Sequence, residues 1–180
     1  MPPEWVHERI GPWELSDAYT PPFLGALADT VGRRVNAIDM LALAPPLAGP
    51  PPLPLTAILA KTPARAAARG DPEPSVDHPR VRRARRYRHD VMVWTTEGGI
   101  LTIGRGLTGR WEVGLEVDEA YRGRGLGRAL ATSARHVVPD GRPVWAQIAP
   151  GNAWSVRAML AAGYRPVGME ALLVDHTGEH

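Results

Sequence analysis

From residue 89 to residue 175 the hydrophobic period changes repeatedly, and that alternation limits the fold more than any single motif. "DVMVWTT" alternates and is β-branched, so it reads as a strand. "EGG" (97–99) supplies a tight turn, "ILTIGRGL" a second strand and "RWEVGLEV" (110–117) a third. Strands joined this closely form an antiparallel meander. "GLGRALATSARHVV" (125–138) then carries Leu126, Leu130, Ala134 and Val137 at helical spacing and breaks at "DGRP". "VWAQIA" (144–149) is a short strand. "NAWSVRAMLAAG" (152–163) is a helix with Asn152 as N-cap and Gly163 as its stop. "YRPVG" and "MEALLVDH" return to strand text, with room for a hairpin. This order predicts an α/β fold: a mixed, largely antiparallel central sheet flanked by helices.

The chain divides near residue 88. Residues 1–88 are read as a helical and proline-rich part of the same domain, on its substrate side, and 89–180 as the core. In "PPFLGALADTVGRRVNAIDMLALA" (21–44), Leu24, Leu27, Val31 and Val35 have helical spacing, and a strand or second helix follows through Ile38–Leu43. "PPLAGPPPLP" (45–54) can form neither a regular helix nor a central strand, because its prolines lack the N–H. It is a connector, or part of a pocket wall. "LTAILAKTPARAAARG" (55–70) reads as a helix broken near Pro63, and "DPEPS" as a loop. "DHPRVRRARRYRHD" (77–90) opens like a helix at Asp77 and Pro79, carries an apolar stripe of Val81, Ala84 and Tyr87, and holds six arginines between Arg80 and Arg88. That stretch is either a solvated arginine face or an anion-binding patch; the solvated face is favoured, since no nucleic-acid motif accompanies it.

Composition narrows the chemistry. The chain has 180 residues, 44% of them apolar, enough for a packed core. Cysteine is absent, which excludes disulfides, thiolate metal sites and a cysteine nucleophile. No metal is expected. No window is apolar enough for a membrane span, and "MPPEWVHERIGPWEL" lacks an apolar core of signal-peptide length, so a soluble cytoplasmic protein is expected. The net charge is only +2 and Lys61 is the sole lysine, so heavy arginine use is not read as evidence for nucleic acid.

Two segments share glycine-arginine text. Gly104-Arg-Gly106-Leu-Thr-Gly109 satisfies G-x-G-x-x-G, but strand text lies on both sides. No helix N-terminus is there to receive a pyrophosphate, so this is a hairpin turn. Arg122-Gly123-Arg124-Gly125-Leu126-Gly127 lies between a strand and a helix. Unsatisfied N–H groups and the helix dipole meet there, with Arg122, Arg124 and Arg128 adding charge. Taken alone, the segment reads equally as an anion cradle or a plain turn.

The remainder of the C-terminal half separates those readings. Arg122-x-x-Gly125-x-Gly127 resembles the Q/R-x-x-G-x-G/A signature of the GNAT superfamily, the acyl-CoA-dependent N-acyltransferases. "WAQIAPGNAWSVRAMLAAGYRPVG" resembles that family's next strand and helix, with Asn152 and the Gly163-Tyr164 pair in register. The resemblance spans about residues 89–175. It implies that strands splay after 111–117, that acyl-CoA lies in the gap, and that Leu115 and Val117 offer it backbone. It further implies that the pyrophosphate sits on N–H groups from Arg122 to Gly127, with Asn152 near the pantetheine arm or the thioester.

The reaction so implied is attack of an amine on the thioester of acetyl-CoA in a ternary complex. Two catalytic positions seen in members of the family are changed: a tyrosine acid is replaced by Met159, and a glutamate base by Gln147. Glu112 and Glu116 remain, two strand repeats apart on one side of the sheet. Glu112 is the first candidate base, direct or through water, and Glu116 the second. Both could instead be solvated carboxylates, or partners of Arg105 and Arg110. Tyr121, Tyr164, His78 and His89 have no assigned role, the histidines being read as structural. The expected function is N-acetyl transfer to a small-molecule or peptide amine. The alternatives are a catalytically weak acyl-CoA-binding module, and a nucleic-acid-binding protein using Arg80–Arg88. Association of two copies is left open.

Overall fold

The computed structural model describes residues 1–11, 15–59 and 77–176. The chain forms two compact units, Met1–Asp39 with Met169–His180, and Met40–Gly168.

The smaller unit holds α1 (Pro3–His7) and α2 (Pro21–Thr30), each with proline in its first turn, where no N–H is missed. Leu24 and Ala28 are the buried face of α2. The helix ends before Gly32, whose φ of +64° is one that glycine adopts without strain. The expected apolar stripe therefore stops short of Val35, which lies in strand β1 (Arg34–Ala44). The Tyr19 hydroxyl donates to the Met169 carbonyl at 2.8 Å.

The remaining elements are β2 (Thr56–Leu59), α3 (Pro79–Tyr87), β3 (His89–Thr96), β4 (Gly99–Arg105), β5 (Trp111–Val117), α4 (Leu126–Val137), β6 (Val144–Ile148), α5 (Ala153–Ala161) and β7 (Arg165–Val174). The strands form one seven-stranded sheet in the order β2-β3-β4-β5-β6-β1-β7. The mixed, largely antiparallel sheet flanked by helices is the fold expected. The end of the chain is one continuous strand, β7, rather than a hairpin.

One expectation fails within 55–70. Residues 56–59 form a strand, with Thr56 opposite Thr95 and Leu59 opposite Val93. Leu59 is buried there. Pairing with β3 outweighs a local helix preference worth under about 1 kcal/mol per residue. Residues 60–75, including Pro63 and "DPEPS", lie outside the described residues.

The larger unit has two apolar layers. Trp94, Leu101, Ile103, Trp111 and Val113 meet α4 through Leu130, Ala131 and Ala134. On the opposite face, Val91, Val93 and Ile100 receive Val81 and Ala84 of α3. Leu130 is fully buried, so truncating it to alanine would cost about 2–5 kcal/mol. Tyr87 does not join the α3 stripe; it is exposed. The proline-dense connector is clasped along the last turn of α4. The Leu47 N–H donates to the Arg135 carbonyl at 2.8 Å, and Arg135 Nε to the Pro45 carbonyl at 2.9 Å.

Candidate active site

The site grows from a split in the sheet. β5 and β6 run parallel but pair only at Trp111–Val144 and Glu112–Trp145. Beyond that, β6 remains with β1, Met40 facing Ile148, and β5 remains with β4. A wedge opens along Val113–Val117.

The phase of the β4–β5 ladder settles which backbone groups face this wedge. The register is regular from Gly99–Val117 to Arg105–Trp111, with no bulge. At its two ends the Asp118 N–H donates to the Gly98 carbonyl at 2.9 Å, and the Gly106 N–H to the Arg110 carbonyl at 3.0 Å. Hydrogen-bonded pairs alternate in an antiparallel ladder. Even-numbered residues of β5 therefore bond to β4, and Val113, Leu115 and Val117 turn their N–H and C=O groups outward. Two of these carbonyls are reached by arginine: Val113 by Arg88 Nη2 at 3.4 Å, and Val117 by Arg122 Nε at 3.3 Å.

At the end of β5 the chain passes through a short turn into Arg122–Gly125 and α4. Gly123 and Gly125 have φ of +76° and +83°. Gly125 is the N-cap of α4, and no side chain caps it. The Ala129 N–H is the first to reach back, to the Gly125 carbonyl at 3.0 Å. The N–H groups of Leu126, Gly127 and Arg128 therefore have no intrahelical partner, at the positive end of a twelve-residue helix. Arg122, Arg124 and Arg128 are exposed around them. Gly127 lies close to α5: a Cβ there would stand 3.6 Å from that of Ala158. The hairpin segment differs, as expected. Residues 104–109 join β4 to β5, and no α-helix opens there.

The other face of β5 carries Glu112, Gly114 and Glu116. Glu112 is gripped from both sides, its Oε2 by Arg88 Nε at 3.1 Å and its Oε1 by Arg110 Nε at 2.7 Å. Its side chain is only 4% exposed. Burial draws the Arg88 guanidinium below its ordinary pKa, and the Glu112 carboxylate acts against that. Glu116 is different: it is 39% exposed and among the described residues meets one cation, Arg80 Nε, at 3.3 Å. Gly114 lies between them beneath the arginines. A Cβ there would stand 2.8 Å from Thr102 Oγ1 and 3.2 Å from Arg88 Nη1. Arg105 turns elsewhere, to Asp90 at 3.3 Å and over the Trp111 ring.

The sequence did not single out Arg80, Arg88 or Gly114. The first two are two of six arginines in the α3 stretch, and nothing in the text marks them as the pair that turns inward. Gly114 did carry a signal, since glycine inside a strand often marks a close approach.

The other candidates have structural work. Asn152 Oδ1 caps α5 by accepting from the Ser155 N–H at 3.0 Å. His78 Nδ1 caps α3 by accepting from the Arg80 N–H at 3.1 Å. Met159 is in the core, and so is Tyr164, whose hydroxyl donates to the Ala131 carbonyl at 3.3 Å. Burial pushes the Tyr164 phenol well above its usual pKa. The Tyr121 hydroxyl donates to Glu97 at 2.9 Å, and that hydrogen bond raises its pKa. His89 is exposed at the start of β3. Among the described residues no group of three or more His, Asp or Glu is arranged to hold a metal ion. No described helix is long and apolar enough to cross a membrane.

Residues 74–164, which contain the split strands, the glycine loop and both flanking helices, match the model of the acetyltransferase (GNAT) family. The chain belongs to that family. Members of the family use acyl-CoA as co-substrate. Among solved structures, the chain is similar to a GCN5-related N-acetyltransferase from Sphaerobacter thermophilus, at 20% identity and a TM-score of 0.48. The match covers 86% of this chain and 56% of that one, so the chain spans a little over half of its length. No curated protein matches.

Proposed function

We propose that the protein transfers an acetyl group from acetyl-CoA to an amine of a small molecule or peptide, by direct attack in a ternary complex. One observation carries the reading. Beyond the last β6 pair, the outward edge of Leu115 and Val117 leads through a short turn to the uncapped N-terminus of α4. An extended amide-bearing arm can pair with the strand while its pyrophosphate meets Arg122, Arg124, Arg128 and the N–H groups from Gly123 to Gly127. Asn152, at the head of α5, is offered as a further contact to the arm.

The acceptor amine must lose a proton, because an ammonium has no lone pair. We assign that role to Glu116, directly or through water, in preference to Glu112. Among the described residues Glu116 has a single guanidinium contact, which leaves an oxygen over, and it is more than a third open to solvent. Both oxygens of Glu112 are already accepting from buried guanidinium groups, so it serves to position Arg88. As the nitrogen forms its bond to the carbonyl carbon, the oxyanion takes a hydrogen bond from an outward β5 N–H. The C–S bond then breaks. A thiol has a pKa near about 8.5, so the sulfur can leave as a thiolate without an acid at the Met159 position. The glutamate base is worth about 10²–10⁴-fold.

Thiol release measured over an amine panel tests the reading, with CoA affinity measured by calorimetry. Binding with turnover supports it; no CoA binding at millimolar ligand overturns it. Binding without turnover supports the alternative of a non-catalytic acyl-CoA module, whose ground is the residue types Met159 and Gln147 at the two changed positions. The nucleic-acid alternative loses two of its six arginines to Glu112 and Glu116.

A further inference from the structure

One side chain at the head of α5 is unexplained by the fold. Trp154 is 75% exposed, more than any other large apolar side chain among the described residues. It lies in the first turn of α5, directly after the Asn152 cap.

Its position relative to the loop follows from the packing of α4 and α5. Near the start of α4, Gly127 faces Ala158. Farther along α4, Ala131 accepts from Tyr164, and Arg135 Nη1 donates to the Ala162 carbonyl at 2.8 Å. Both sets of numbers rise together, so the helices run side by side in the same direction. Trp154 precedes Ala158 by four residues, which puts it on the same helix face, one turn nearer the N-terminus. One turn back from the level of Gly127 passes the first residue of α4, Leu126, at the end of the helix pair where the glycine loop enters. The indole therefore lies toward that end of the pair. The Arg157 guanidinium lies 5.7 Å from its ring centroid.

We propose that the adenine of the acyl-CoA nucleotide stacks on Trp154, and that Arg157 meets the phosphate carried on its ribose. The inference rests on the acyl-CoA reading above and extends it to the nucleotide end. A flat, exposed aromatic surface has the chemistry for a base, and a guanidinium beside it the chemistry for a phosphate. Because Trp154 supports nothing in the fold, its removal leaves the rest of the site in place.

Calorimetry with two probes tests this: CoA, and 4′-phosphopantetheine, which keeps the arm and one phosphate but lacks the adenosine. Trp154→Ala is expected to weaken CoA by about five- to a hundredfold, with Trp154→Phe recovering most of the loss. Affinity for phosphopantetheine is expected to change less than about twofold, because that probe carries no base to stack on the indole. Equal loss on both probes, or no loss on CoA, overturns the proposal. Arg157→Ala is expected to abolish the preference for CoA over dephospho-CoA; an unchanged preference removes Arg157 from it. If the unaltered protein binds neither probe, the acyl-CoA reading itself has failed, a result distinct from the other two.

Discussion

Replacing Glu112 by glutamine keeps the shape of the side chain and removes its charge. Two guanidinium contacts, at 3.1 Å and 2.7 Å, depend on that charge. The Arg88 and Arg110 side chains are only 14% and 12% exposed, so water replaces little of the attraction that disappears. Removing one partner of a buried ion pair costs about 3–5 kcal/mol. The glutamine carbonyl retains one acceptor, so the low end, about 3 kcal/mol, applies. At this chain length each kcal/mol moves the midpoint by about 2–4 °C, so Glu112→Gln is expected to lower Tm by about 6–12 °C. Glu116→Gln loses a pair that is over a third exposed on both sides, worth about 0–1 kcal/mol. That variant should melt almost with the parent yet lose about 10²–10⁴-fold in kcat. Thermal melts, and thiol release well below either midpoint, read both effects. The reasoning is refuted if Glu112→Gln melts within a degree of the parent while turnover collapses. Glu112 would then be the base and not the strut.

Gly125→Ala puts a Cβ on a residue at φ +83°, costing about 1–2 kcal/mol in the left-handed region, and CoA affinity by calorimetry should fall at least about tenfold. Asn152→Ala removes the α5 cap and should lower stability by about 1 kcal/mol in denaturant titration, whether or not CoA affinity also falls. Tyr164→Phe tests a pH dependence. The buried phenol titrates well above its unfolded value of about 10, so above that pH the unfolded chain releases a proton that the folded chain keeps. Stability is fully present below that pH and declines above it; Tyr164→Phe should show a shallower decline in melts taken from pH 9 to about 11, and an identical slope would refute the assignment.

The strands from residue 89 onward could be read from the text because each has a defined pair of faces. In β3, Val91 and Val93 turn to α3 while Met92 and Trp94 turn to the α4 side, so both parities are apolar yet the run stays short and β-branched. The glycine loop was readable for a similar reason: strand text, positive-φ residues and helix text follow one another without a gap. Residues 56–59 were not, because Thr-Ala-Ile-Leu carries no preference strong enough to resist a partner strand that lies thirty-odd residues away. The two glutamates show the limit most clearly. Strand parity puts Glu112 and Glu116 on one face, and parity alone treats them as equals. What separates them is a second cation: α3 and its C-cap set one arginine on each, Arg80 on Glu116 and Arg88 on Glu112, and Arg110 before β5 adds another on Glu112 alone. That choice is made by Val81 and Ala84 packing against Val91 and Val93, a tertiary contact that places Arg88 and Arg80 over the strand. No rule of spacing picks those two from six. The one local trace of the arrangement is Gly114. A side chain at that position would lift the arginines from the strand, so the glycine between the glutamates is the residue through which the roof, and with it the difference between strut and base, is written into β5 itself.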